Sequence, residues 1–495
     1  MWSEAAEAWL ARQESRATPW LALLCGLLLL EVGPWWSSTP DSVLYLSMAR
    51  SLARSGELTS LGSTHTGLPP GYAVLLAPAF WLSDRPFWVI AIVQWLLGVA
   101  VIFLLHAWAR RVTPGRALLT TGLVAVNVSF WMLVRRPLSE ICFLVLLLAS
   151  ANSMDAVLEA SRPKTLALRG IIACGLLAAA VLVREAAIVL IGGFAVAAVL
   201  ARRSGDRSRF AGLVVALTAG LGIACLVAFV GYDLSTLAAN GAQRVVGSHL
   251  DGFLDPRSTF AEKLGEGFRL RVAEIGRLVV PGMFKAYGPP GIWLDANMAI
   301  EGACALVVLA GWLRLVRTTR AVLVLALPFY FALHSAWAFD AGTRYMLPML
   351  PVIVASLAAL VERRSDRLRI AALAVVAHLG VTLGYHLSRE LPRAHECHRL
   401  WPTVDRVAAG TGPADGEIAA LSVPECAALM LSFTLDRPVA RDPTTVAAIA
   451  WLVTGSPVDA PSGFRLRDEV DSLKLWQREA HAVAASSFEN ATDRN

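Results

Sequence analysis

The feature that most limits what this chain can fold into is its succession of apolar runs, at about residues 20–36, 73–107, 117–134, 138–157, 167–183, 186–201, 210–230, 298–316, 321–338, 345–361 and 369–387. Each is long enough, or nearly so, to cross a bilayer as a helix, the conformation that pairs every backbone polar group within one segment. Only 17% of the 495 residues are charged and 56% are hydrophobic, whereas about a quarter are charged in soluble domains. The pattern predicts an all-α polytopic membrane protein with about 11 transmembrane helices. No small-residue cleavage pattern follows the first run, which therefore reads as a retained span.

The arginines orient the spans. Clusters fall in alternate loops, at Arg110, Arg111 and Arg116, at Arg162, Lys164 and Arg169, at Arg202, Arg203, Arg207 and Arg209, at Arg314, Arg317 and Arg320, and at Arg363, Arg364, Arg367 and Arg369. Basic loops stay cytoplasmic, so these and the N-terminus are expected inside. The formal charge of +6 is then a matter of topology, and nucleic acid is not an expected partner. On the other, exported side lie the first loop at 37–72, the turns near Arg135, Arg184 and Asp340, the long loop at 232–297 and the C-terminal tail. The domains expected are a transmembrane one at 1–388 and a small α/β module at 389–495, with strands at Glu417–Leu421 and near Pro438 and helices from Pro424 and over Thr444–Leu452. The 232–297 loop is expected to be mostly helical, a lid over the exported face.

The first exported loop carries the clearest local signal. Thr39 is an N-cap, Pro40 suits the first helical position, and Asp41 lies in the first turn, where the backbone dipole favours an ionised carboxylate. Ser47, Arg50, Ser51 and Arg54 share one face of the helix that follows, with Leu44, Tyr45, Met48, Ala49 and Leu52 opposite, and Gly56 stops it. Such a helix is expected to lie on the membrane surface, with Asp41 as a candidate catalytic base at its leading end.

Charged groups at the ends of apolar segments are costly near lipid and point to function. On the exported side these are Asp41, Arg135, Arg136, Glu140, Arg184, Glu185, Asp340 and Arg344. A carboxylate among several cations suits an anionic substrate attacked by a hydroxyl. The seven cysteines have no CxxC or Cys/His ligand spacing, so no metal site is expected from them. Cys397 and Cys426, in the tail, leave a disulfide open if that region is exported.

Short motifs follow one another along the chain: Asp41 with Tyr45, Ala49-Arg50 and Gly56, then Pro69-Pro70-Gly71-Tyr72, Pro137-Leu138-Ser139-Glu140 and Leu182-Val183-Arg184-Glu185, then Arg344-Tyr345-Met346-Leu347-Pro348 with Pro351, and Leu435-Asp436-Arg437-Pro438-Val439. Their order resembles that of membrane glycosyltransferases of the GT-C fold, in the branch of protein O-mannosyltransferases and lipid A aminoarabinose transferases. The resemblance implies transfer of a hexosyl or pentosyl group, with inversion, from a polyprenyl-phosphate donor to an acceptor hydroxyl on a glycan, lipid or protein. Asp41 would be the general base, and Glu140 would either orient the acceptor or assist the base. Arg184 and Arg344, and less centrally Arg135, Arg136, His65, Tyr45 and Tyr345, would bind the lipid phosphate or sugar. Two positions depart from the family pattern: Ser42 follows Asp41 where a second acidic residue is common, and Leu68 stands where a Lys often precedes the Pro pair. No cofactor is implied with certainty, and a divalent cation stays open. The protein is expected in the cell inner membrane, in contact with lipid. The rival classes are a transporter or flippase, which calls for inverted repeats and mid-span charges, and a GT-C-like scaffold without catalysis.

Overall fold

The computed structural model describes residues 14, 16–64, 68–159, 163–201, 218, 220–222, 260–280, 292–336, 343–361, 365–411, 417–421, 425–437, 439–440, 449–455, 464–470 and 473–478. The chain divides into two compact units, one of residues 1–33, 66–72 and 88–388, the other of 34–65, 73–87 and 389–495.

The first unit is helical. Its described helices are α1 (Ala17–Leu27), α4 (Phe87–Val112), α5 (Ala117–Ala125), α6 (Val128–Arg135), α7 (Ser139–Glu159), α8 (Pro163–Val183), α9 (Val189–Ala201), α10 (Phe260–Val279), α11 (Ile292–Thr318), α12 (Val322–Ser335), α13 (Leu350–Leu360) and α14 (Ser365–Tyr385). Four segments, within α4, α7, α8 and α11, are long and apolar enough to cross a membrane, and α5 with α6 makes a fifth if that pair, bent by 57°, is one span. The other expected spans are shorter apolar helices, fall in α14, which is long enough but not among the helices that are apolar enough, or, like most of 210–230, lie outside the described residues.

Polar side chains repair the bend. Asn127 accepts from the Ser129 amide at 3.0 Å and donates to the Leu278 carbonyl at 2.9 Å, while Thr382 donates to the Val126 carbonyl at 2.7 Å. A broken helix survives in an apolar setting when its freed backbone groups are satisfied in this way. The run expected at 73–107 is not continuous. A short helix, α3 (Gly71–Leu76), passes into a 3-10 turn at Ala77–Trp81, and α4 starts only at Phe87. Between them lies Ser83-Asp84-Arg85-Pro86, whose proline lacks an N–H and biases Arg85 away from helix.

In the second unit the first-loop helix, α2 (Pro40–Ser55), has the cap expected from sequence. Thr39 Oγ1 accepts from the Ser42 amide at 3.2 Å, and Ser42 Oγ accepts from the Thr39 amide at 2.8 Å. Its setting differs from the expectation of a membrane-surface helix, because Ser42 through Arg50 are all buried. Ser47 and Arg50, on the supposed wet face, are paired with tail residues of the same unit. A two-stranded hairpin, β1 (Thr59–Ser60) with β2 (Ser63–Thr64), follows.

The tail adds helices α15 (Leu391–Arg399), α16 (Trp401–Thr411) and α17 (Glu425–Leu435) to strands β3 (Glu417–Leu421), β4 (Val439–Ala440), β5 (Ile449–Gly455), β6 (Phe464–Val470) and β7 (Leu473–Arg478). The sheet order is β4-β3-β5-β7-β6, parallel from β4 to β5 and antiparallel beyond. Ile449–Leu452, expected to be helical, is therefore strand. Pairing on both sides with β3 and β7 overrides the alanine-rich local preference. An aromatic cluster holds this unit together: the Trp36 ring lies 5.5 Å from Phe87, 5.3 Å from Phe433 and 6.1 Å from Trp401. Cys397 and Cys426 are free, buried thiols, and their mutual hydrogen bond raises the pKa of the first and lowers that of the second.

Candidate active site

In the first unit, three residues singled out from sequence meet at one point. Glu140 lies in the first turn of α7, just after Pro137. Arg184 ends α8, where its extended backbone, with φ near −156°, turns the chain into the 3-10 helix Glu185–Ile188. Arg344 precedes the prolines that open α13. Glu140 Oε1 accepts from Arg344 Nε at 2.7 Å and forms ion pairs with Arg344 Nη2 at 2.6 Å and Arg184 Nη1 at 2.8 Å. Glu140 is fully buried (0% exposed), while the Arg184 and Arg344 side chains keep 16% and 26% of their surface. One carboxylate against two guanidiniums leaves one net positive charge. A buried carboxylate is costly unless paired, so the two cations stabilise Glu140 and it holds them in place.

The Pro-Pro-Gly-Tyr motif bears on the same spot. A Cβ added at Gly71 would stand 2.7 Å from the Leu182 carbonyl oxygen, so only glycine lets this backbone pack on the turn that carries Arg184.

A neighbouring cluster was missed from sequence. On α10, Arg271 pairs with Glu274 at 2.9 Å, both buried, and Glu274 Oε2 accepts from the Met346 amide at 3.0 Å. The Arg271 guanidinium lies 4.7 Å from the centre of the Tyr345 ring, whose centroid is 5.3 Å from that of His334. Tyr330, fully buried and stacked on His334, feels the charges of Arg184, Glu274, Glu140 and Arg271. The available signal was the Arg271/Glu274 spacing of three within the amphipathic α10, in the loop expected to be a lid.

The other sequence candidates are dispersed. Arg135 belongs to a separate buried cluster: its Nη1 lies 3.3 Å from Glu31 Oε2, and His386 Nδ1 lies 2.8 Å from Glu31 Oε1. Neither Glu31 nor His386 was singled out. Arg136 is half-buried, and its carbonyl accepts from Gln94 Nε2. In the second unit, Asp41 is half-buried in the first turn of α2 and Tyr45 is 3% exposed in that unit's core. His65 and Asp340 lie outside the described residues.

Among the described residues no group of three or more His, Cys, Asp or Glu is arranged to hold a metal ion. Glu140, already neutralised by two guanidiniums, does not fit a divalent cation.

The two ends of α7 differ. Glu140 stands at its start, whereas near its other end Asn152 accepts from Arg111 at 3.2 Å and the Ala156 carbonyl accepts from Arg169 at 2.9 Å. Along α7, about 18–24 Å at 1.5 Å per residue separates Glu140 from Asn152 and Ala156, where these basic-loop residues dock.

No protein-family model matches the sequence, and no curated protein matches it. Among solved structures the chain is similar to ArnT from Cupriavidus metallidurans bound to undecaprenyl phosphate, at 14% identity and TM-score 0.55, over 94% of this chain and 99% of that one. It is also similar to the archaeal oligosaccharyltransferase AglB from Archaeoglobus fulgidus in complex with an inhibitory peptide and a dolichol-phosphate, at 13% identity and TM-score 0.55, over 88% of this chain and 69% of that one. The likeness shows the fold, the GT-C fold, and the four or five described helices long and apolar enough to cross a membrane make this a multi-pass membrane protein.

Proposed function

We propose that this protein is a membrane glycosyltransferase that moves a sugar from a polyprenyl-phosphate donor to an acceptor hydroxyl on the exported face. The observation that carries the proposal is the pair of guanidiniums held on Glu140. In such a transfer the acceptor oxygen bonds to the anomeric carbon as the bond from that carbon to the phosphate oxygen breaks. The electron pair leaves on the lipid phosphate, and the acceptor proton goes to a base. Fixed cations at the leaving oxygen stabilise charge that grows in the transition state. Arg184 and Arg344 suit that role, since both are anchored and neither is fully enclosed. The buried Arg271–Glu274 pair, set against the Tyr345 ring and the Met346 amide, braces the segment that carries Arg344. Glu140 is assigned the task of orienting the two guanidiniums.

Asp41 is the base. Half-buried in the first turn of α2, its carboxylate is assigned the proton of the acceptor hydroxyl. Arg135 is assigned a structural part, paired with Glu31, and Arg136 a place at the boundary. The fold shared with an ArnT bound to undecaprenyl phosphate and an AglB bound to dolichol-phosphate supports a donor of this kind. The separation of the cluster from the basic loops along α7 supports an exported site, and displacement by a single hydroxyl favours inversion.

The test is transfer from a panel of radiolabelled polyprenyl-phosphate sugars in native membranes, comparing the intact protein with Asp41→Asn and Arg344→Met at equal folded level. Product from one donor, abolished in both variants, is expected. Full transfer by Asp41→Asn would remove Asp41 as base, and full transfer by Arg344→Met would remove the phosphate role of the cluster.

A further inference from the structure

The turn at the end of α17 has the hydrogen bonds of a Schellman cap, with Arg437 N–H donating to the Ser432 carbonyl at 3.2 Å and Asp436 N–H donating to the Phe433 carbonyl at 3.3 Å. The residue at its left-handed position is ordinarily glycine. Here it is Asp436, with φ +54°, a conformation that costs a side chain energy but that aspartate tolerates better than most. Strain kept at one position is a pointer to what the side chain does there.

The Asp436 side chain reaches α2. Ser47 Oγ donates to Asp436 Oδ1 at 2.5 Å and Arg50 Nη2 donates to the same oxygen at 3.0 Å. Arg50 Nη2 also donates to the Phe433 carbonyl at 2.7 Å, and its guanidinium lies 4.2 Å from the centre of the Phe433 ring. Burial lowers the Arg50 pKa and the Asp436 charge opposes that shift. Ser47 Oγ in turn accepts from the Leu61 amide at 2.9 Å. At Gly62, with φ +73°, an added Cβ would stand 2.8 Å from the Asp436 carbonyl oxygen. The hairpin turn after α2 therefore closes on the same residue. At the other end of α2, Trp36 Nε1 donates to Ser42 Oγ at 3.1 Å, which ties the cap to the aromatic cluster containing Trp401 and Phe433.

We infer that Asp436 is a positioning residue that fixes the rotation and axial setting of α2, and through it the place of Asp41. The inference rests on Asp41 being the base. Asp41 lies six residues before Ser47 on one rigid helix, so a rotation at Ser47 and Arg50 is carried to Asp41 undiminished. The tail thereby acts on catalysis without touching substrate.

Asp436→Gly is the discriminating variant, because glycine relieves the backbone strain while deleting the carboxylate. A residue that merely capped α17 would leave α2 and turnover unchanged or improved by this substitution. A positioning residue loses both. We expect faster amide exchange across Ser42–Ser55 in Asp436→Gly, a fall in kcat of about tenfold or more, and KM for the labelled polyprenyl-phosphate sugar within twofold of the parent. Asp436→Asn keeps an acceptor for Ser47 and tolerates positive φ, and should recover most of the protection and rate. Parent-like exchange in α2 of Asp436→Gly would overturn the inference, as would loosened exchange with an unchanged kcat. Should Asp41→Asn retain full transfer, the base assignment fails, while the exchange measurement still judges whether Asp436 sets α2.

Discussion

The capped helix that carries Asp41 and the cluster around Glu140 are built in opposite ways. Everything that starts, patterns and stops α2 lies within eighteen residues: a threonine cap, a proline, an acidic first turn, a periodic face and a glycine stop. The Glu140 cluster joins three separate segments, with Glu140 and Arg344 lying 204 positions apart. A local element forms from its own caps and gains stability later by packing. A buried charge cluster has no stability until all its members arrive, because each charge is costly alone. The two regions should therefore answer mutation differently, the first in rate and the second in folding.

The largest effect is expected at Glu140. Glu140→Gln strands two partly buried guanidiniums and should cost about 3–5 kcal/mol, read as a large loss of folded yield and a lower Tm in detergent. Full folding and transfer by this variant would break the comparison. Asp41→Asn should instead lower kcat by about 10²–10⁴, the usual worth of general-base catalysis, with Tm unchanged. A parallel fall in Tm would move Asp41 into the structural class.

Gly71→Ala sharpens the second half of the contrast. Pushing its backbone off the Leu182 carbonyl should cost about 1–3 kcal/mol, as overpacking does, and should disturb the turn bearing Arg184. Thr39→Ala removes the α2 cap and should cost about 1 kcal/mol, detected as faster exchange confined to the first turn. Smallest is Arg54→Ala, which breaks a pair with Asp84 in which both side chains are at least half exposed. Its effect on Tm should correspond to about 0.5 kcal/mol or less.

The membrane class, the start and stop of α2 and the candidacy of Glu140, Arg184 and Arg344 were legible because each is written in short-range pattern: long apolar runs, caps, and charges at span ends. What escaped depended on partners remote in sequence. Arg135 has the same local signature as Arg184, an arginine at a helix end, yet one pairs with Glu31 and the other with Glu140. The wet face of α2 looked solvent-facing because its partner, Asp436, is more than 380 residues away. Ile449–Leu452 has helical composition, yet it pairs between two strands.

From sequence alone, then, follow the membrane class of the chain, the start and stop of the capped helix α2, and the ionisable residues at the ends of the apolar runs. These follow from hydrophobicity and backbone hydrogen bonding, which act over one or two turns. Only the tertiary structure decided which charges meet. Pairing of buried charges is settled by geometry across segments, and no local rule assigns an arginine its carboxylate.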